Sequence, residues 1–200
     1  MAASVAIIDS GGANIASLLF AFQRLGLEAS LTTGEKVIKT AERVILPGVG
    51  AARDAMQRLR DANLVDVIRD LRQPVLGICL GMQLLAEASD EENVECLGII
   101  PGVAKKFSPA PSLPVPNMGW CKVSAVSEHA ILRNLPAESF FYFVHSYALP
   151  VSDYTVATAE HEQPFSAIIA RENFVAAQFH PERSSKAGAL LLRNFTEARL

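Results

Sequence analysis

Cysteine is scarce in this chain: Cys79, Cys96 and Cys121 are the three in 200 residues, an odd number without CxxC spacing. That leaves no basis for a disulfide framework or a zinc site, and neither a metal nor a cofactor is expected. A reducing compartment suits such thiols. Basic excess is missing as well, with 18 Lys and Arg against 21 Asp and Glu for a net charge of −3. The whole-chain field therefore offers nothing to nucleic acid or to an anionic membrane surface. Long apolar runs are also absent. Val5 to Ile8 stops at Asp9 and has no basic lead-in, which excludes both a signal peptide and a membrane span there. Asn194-Phe195-Thr196 fits the glycosylation pattern, but without an export signal it reads as a chance match. Gly11-Gly12 does not complete GxGxxG, which speaks against a dinucleotide cradle at 9–14. A cytoplasmic setting is expected, with no membrane or nucleic-acid partner.

What is present is apolar: half of the residues are hydrophobic, enough for one α/β domain over 1–200 with a sizeable core. Val5 to Ile8 reads as a strand, and Ile15, Leu18, Leu19, Phe22 and Leu25 fall at helical spacing before Gly26. Further strands are expected near Glu28 to Thr32, at Arg43 to Leu46, and at Pro74 to Ile78. The last of these is continuously apolar, as in a parallel sheet buried on both faces. Leu64, Val67, Ile68 and Leu71 make another helix face. After the prolines at 109, 111, 114 and 116 come shorter β-rich stretches: Trp120 to Val126, Phe140 to Tyr147, Tyr154 to Ala159, Ala167 to Ala170 and Phe174 to Phe179. A helix near Ser184 to Ala198 closes the chain. This pattern predicts an α/β fold with a mixed, mostly parallel sheet covered by helices.

Gly77-Ile78-Cys79-Leu80-Gly81 has the form of a nucleophile elbow, a sharp strand-to-helix turn that holds a side chain proud of the sheet edge. Glycines suit such a turn because it leaves little room for Cβ atoms and requires unusual backbone shapes. The first turn of a helix also offers the positive end of its dipole to a thiolate. Buried core cysteine is the bland alternative. A cysteine nucleophile needs a base, and four histidines are available. His129 and His161 sit in polar stretches and read as solvated. His145, in YFVHSY, is a pocket candidate. His180 is the strongest, because it ends an apolar strand and precedes Pro181, which keeps it out of the helical region. Residues two apart in extended chain share a side, so Glu182 can reach the imidazole. Donors for a developing oxyanion are expected from the Leu80 N–H and from the turn Pro47-Gly48-Val49-Gly50.

Together, PGVG at 47–50, GICLGMQ at 77–83 and QFHPE at 178–182 resemble the class I, or triad, glutamine amidotransferases. DSGGAN at 9–14, PNMGW at 116–120, YFVHSY at 142–147 and HPERS at 180–184 resemble, more narrowly, the glutaminase subunits of imidazole glycerol phosphate synthases. The resemblance implies a three-layer, flavodoxin-like fold and a reaction in which Cys79 attacks the side-chain amide of L-glutamine. His180 would move the protons and Glu182 would orient it. It implies oxyanion donors at Gly48, Val49 and Leu80, and substrate contacts at Gln83, at Glu91 for the ammonium, and along the His145, Ser146 and Tyr147 backbone for the carboxylate. It further implies a cyclase partner of (β/α)8 fold in a heterodimer, which uses the ammonia in histidine biosynthesis. Ser10, Gly11, Asn14, Asn117, Met118, Trp120 and Arg183 would lie towards that partner. Ser10 stands where the family generally has an aromatic, Ala13 where it has glycine, Ala52 where it has phenylalanine, Asn117 where it has histidine and Cys121 where it has asparagine; these departures bear on coupling to the partner. A glutaminase of another synthase or a γ-glutamyl hydrolase fits PNMGW and YFVHSY less well. A regulatory subunit of this fold without catalysis would be expected to have lost part of the triad.

Overall fold

The computed structural model describes residues 4–11, 15–108 and 114–198. In chain order the elements are β1 (Val5–Ile8), α1 (Ile15–Arg24), β2 (Ala29–Thr32), α2 (Glu35–Thr40), β3 (Arg43–Gly48), α3 (Ala52–Asp61), α4 (Val65–Arg69), β4 (Val75–Cys79) and α5 (Leu80–Leu85). They continue with β5 (Ala86–Ser89), β6 (Val94–Glu95), β7 (Ile100–Lys106), β8 (Asn117–Ala125), β9 (Ser139–His145), β10 (Tyr147–Ala148), β11 (Thr155–His161), β12 (Gln163–Arg171), β13 (Phe174–Ala177) and α6 (Ser185–Glu197). Pro109 and Pro111 of the expected extended connection lie outside the described residues, as do Ala13 and Asn14.

Among the described residues a nine-stranded sheet runs in the order β2-β1-β3-β4-β13-β12-β11-β8-β9. The expected mixed sheet is there, with its parallel pairings confined to the half from β2 to β13. From β13 to β9 every pairing is antiparallel. Period-two alternation sorts the parallel strands between two cores. Ala6, Ile8, Val44 and Leu46 face α2, α3, α4 and α5, whereas Val5, Ile7 and Ile45 face Leu18 and Phe22 of α1 and Leu191, Leu192 and Phe195 of α6. Helices thus cover both sides of the sheet, which gives the three layers.

A second, four-stranded sheet, β10-β7-β5-β6, was not foreseen. Its strands carry weak signals: β5 is Ala-Glu-Ala-Ser and β7 contains Pro101 and Gly102, residues that β-propensity disfavours. The pairing of β10 with β7 sets Tyr147 opposite Lys106. Helix α3 also went unread, although Ala52, Ala55, Met56 and Leu59 are buried at helical spacing.

The elbow glycines act through space rather than through backbone freedom. Neither Gly77 nor Gly81 has a positive φ; the strained residue is Cys79 itself, at φ 54°. A Cβ on Gly81 would stand 1.8 Å from the Leu46 carbonyl oxygen, and one on Gly77 would stand 2.9 Å from Leu85 Cδ1. The absence of side chains here lets α5 lie directly on β3. Gly81→Ala is expected to lower the unfolding free energy by more than about 3 kcal/mol, read as a lower urea midpoint at unchanged slope. A loss below about 1 kcal/mol would show that α5 can withdraw from β3.

Candidate active site

Cys79 ends β4 and its backbone (φ 54°, ψ −111°) turns the chain directly into α5. Strand β13 pairs in parallel with β4, Ala177 abreast of Ile78, so the residues after β13 emerge beside the elbow. Gln178 follows, its Nε2 donating towards Cys79 Sγ at 3.9 Å. Phe179 is fully buried and stacks on Phe141 at 4.0 Å, anchoring the strand exit. His180 is extended (φ −100°, ψ 97°), as its proline neighbour dictates.

His180 Nδ1 lies 2.8 Å from Glu182 Oε1. The expected pairing therefore exists, but Glu182 reaches the ring from a single 3₁₀ turn over Pro181–Arg183 and not along an extended chain. Ser184, which sequence reasoning passed over, fixes this turn: its hydroxyl donates to the His180 carbonyl at 2.6 Å and accepts the Tyr142 N–H at 2.9 Å. His180 Nε2 is buried and has no hydrogen-bond partner among the described residues. Burial opposes the imidazolium, but the Cys79 sulfur as thiolate and the Glu182 carboxylate outweigh it and raise His180 to about 10.

A cavity of about 340 Å³ opens over Cys79 and His180, within the usual size of a small-molecule site. Val49 and Gly50 line one wall, Cys79, Leu80 and Gln83 the floor, and Glu91 with the segment from Val144 to Tyr147 the other side. Gly48 is in register with Cys79 on the neighbouring strand. Gln83 uses its amide N–H groups on the Tyr147 carbonyl (3.0 Å) and on Gln178 Oε1 (3.2 Å). Glu91 accepts the N–H of Ala52 at 2.8 Å, so its carboxylate also caps α3. The structure thus gathers Val49, Cys79, Leu80, Gln83, Glu91, His145, Ser146, Tyr147 and His180 around one cavity, with Gly48 beside Cys79 on the neighbouring strand and Glu182 behind the His180 ring. Among the described residues no cluster of His, Cys, Asp and Glu could hold a metal ion, and no helix is long and apolar enough to cross a membrane.

The other histidines correct two readings. His161 is buried in β11 with Nε2 3.1 Å from the Pro114 carbonyl, and His129 is half-buried with Nδ1 accepting the Ile131 N–H. His161 is therefore not solvated and His129 only partly so; each bonds a backbone group. Of the residues expected towards a partner, Met118 and Trp120 are 64% and 53% exposed. Arg183 lies over the Tyr142 ring at 4.6 Å, and Trp120 meets the same ring edge-on. Gly11 is half-buried, its N–H donating to Asp9 Oδ1, and Asn14 falls outside the described residues. Ser10 and Asn117 point inward instead. Ser10 donates to the Pro47 carbonyl at 2.7 Å. Asn117 alternates with Met118 on β8, so exposure of one buries the other, and it contacts His145 and Cys121.

The family model for class I glutamine amidotransferases matches residues 6–198. Imidazole glycerol phosphate synthase subunit HisH of Pasteurella multocida is 49% identical over 97% of this chain and 98% of its own. The protein of the same name from Xanthomonas axonopodis pv. citri is 49% identical over 96% of both chains, and that of Vibrio cholerae is 45% identical over 98% of this chain and 100% of its own. Among solved structures, a glutamine amidotransferase superposes with a TM-score of 0.75 at 17% identity, over 96% of this chain and 97% of that one. Another, from Thermotoga maritima, gives 0.72 at 18% identity, over 99% and 100%; at such identities the likeness concerns the fold alone. With the family model over nearly the whole chain and relatives at up to 49% identity over nearly its full length, the chain belongs to the class I glutamine amidotransferase family.

Proposed function

We propose that the chain is the glutaminase subunit of an imidazole glycerol phosphate synthase, acting in the cytoplasm as one domain that hydrolyses L-glutamine and hands ammonia to a cyclase subunit. The observation that carries the reading is the facing pair of Cys79, held in a strained turn, and His180, held by Glu182, at one cavity. Near-full-length relatives named for this synthase support it.

In the proposed reaction the Cys79 sulfur attacks the amide carbon of glutamine as thiolate, its proton having passed to His180. The carbonyl oxygen gains the negative charge, for which the Leu80 N–H and the Gly48–Val49 turn are the donors. His180 protonates the leaving nitrogen, the C–N bond breaks, and ammonia departs from a thioester. Water then gives a proton to His180 and adds to the thioester carbon; collapse breaks the C–S bond and frees glutamate and Cys79. Glu182 keeps Nδ1 of His180 protonated and stabilises the imidazolium formed in each half. Glu91 suits the ammonium of the substrate, and the 145–147 backbone its carboxylate. Ammonia loses its nucleophilicity on protonation, so a partner should cover the site. The patch of Met118, Trp120, Tyr142 and Arg183 beside the His180 turn is the surface for a (β/α)8 cyclase in a heterodimer.

Cys79→Ala is expected to lower glutamate release by at least about a thousandfold while melting cooperatively like the parent; undiminished hydrolysis would remove Cys79 from the reaction. A cyclase with its nucleotide ligand is expected to accelerate release by the parent, and indifference to it would count against the partner. His180 is raised from 6.5 to about 10 in the folded chain. Its contribution to stability is therefore complete below pH 6.5 and is lost as the pH rises through about 10. Glu182→Gln removes one cause of that shift, so its stability should begin to fall with rising pH earlier relative to its own maximum than the parent's does. Superimposable normalised profiles would show that Glu182 does not hold the imidazolium.

A further inference from the structure

Asn117 reaches from β8 to the ring of His145, and chemistry fixes the direction of each hydrogen bond around that ring. The Tyr147 carbonyl, 2.9 Å from Nδ1, can only accept, so Nδ1 carries a proton. Phe107, Phe143 and Phe165 surround the imidazole with ring centroids 5.3, 5.5 and 5.1 Å away. Burial among them disfavours the charged form and pushes His145 down to about 4. A neutral ring protonated at Nδ1 has a lone pair at Nε2. Asn117 must therefore turn its amide N–H to Nε2, at 3.1 Å, which leaves Oδ1 to accept the Cys121 thiol at 3.6 Å. Donors run one way, from Cys121 through Asn117 and His145 to the Tyr147 carbonyl.

That carbonyl also accepts from Gln83 Nε2 at 3.0 Å, and the preceding one, of Ser146, accepts the Phe107 N–H at 2.9 Å. A turn that receives an anion has to offer N–H groups and keep its carbonyl oxygens, which repel the anion, engaged elsewhere. We infer that Asn117 is a positioning residue for glutamine: by donating to Nε2 it fixes His145 as the Nδ1–H tautomer. The fixed ring then holds the Tyr147 carbonyl, so that the 145–147 backbone presents N–H groups to the carboxylate end of the substrate. The kinetic half of this inference rests on the glutaminase reading, whereas the tautomer does not.

Two variants test it. Asn117→Leu removes the donor at similar length; the KM for glutamine is expected to rise about tenfold with kcat within about twofold of the parent. An unchanged KM, or a loss carried by kcat alone, would overturn the inference. Nitrogen-15 spectra of the histidines in the ligand-free chain give the second arm. The parent is expected to show His145 protonated at Nδ1 and bare at Nε2 at neutral pH. Asn117→Asp, whose carboxylate can only accept, is expected to protonate both nitrogens. An Nε2–H tautomer in the parent, or an unaltered ring in Asn117→Asp, would overturn it even where the parent hydrolyses glutamine. A parent that releases no glutamate would overturn the reading of the site instead, with the spectra still deciding the tautomer.

Discussion

Cys79 is held at φ 54°, and the rest of the site depends on that one strained turn. A non-glycine residue in this region costs of order 1–3 kcal/mol and persists only where its surroundings over-determine it. They do so here: β4 is buried along its whole length, α5 is buried at every residue, and Gly81 lets the helix backbone meet the Leu46 carbonyl of β3. The strain aims the thiol out of the sheet, towards the cavity and the ring of His180.

Strand pairing supplies the second half of the site. Because β13 runs parallel to β4 in fixed register, His180, late in the chain, arrives beside Cys79 from its middle. A one-residue slip would turn His180 to the other face. Two anchors oppose such a slip: Phe179 stacked on Phe141, and Ser184 bonded to both the His180 carbonyl and the Tyr142 N–H. Burying a large apolar side chain such as Phe179 contributes about 1.5–3 kcal/mol, comparable to the strain at Cys79. The triad geometry thus comes from the packing of three strands, β4, β13 and β9, as much as from its own hydrogen bonds.

Much of this was legible in the residues. The apolar run before Cys79, the glycines around it and the proline after His180 each act locally, and local constraints leave marks in sequence. The expected strands and helices of the parallel half, and α6 at the end, follow for the same reason. What could not be read depends on partners distant in the chain. Strands β5 and β7 have poor intrinsic signals and exist because they pair with each other and with β6 and β10. The inward turn of Ser10 is set by the Pro47 carbonyl, and that of Asn117 by His145. His161 looked solvated in a charged stretch, yet tertiary packing buries it. The lack of room for Cβ atoms at the elbow glycines was legible, but the unusual backbone shape expected of them falls on Cys79 instead.

The central claim is that this strained turn makes one of three cysteines the acyl acceptor. The most direct measurement is mass-spectrometric mapping of the adduct formed by a glutamine-like electrophile, with and without excess glutamine. The account predicts a single adduct on Cys79, suppressed by glutamine and accompanied by loss of glutamate release. Labelling of Cys96 or Cys121 with Cys79 untouched, or a Cys79 adduct that leaves hydrolysis intact, would contradict it.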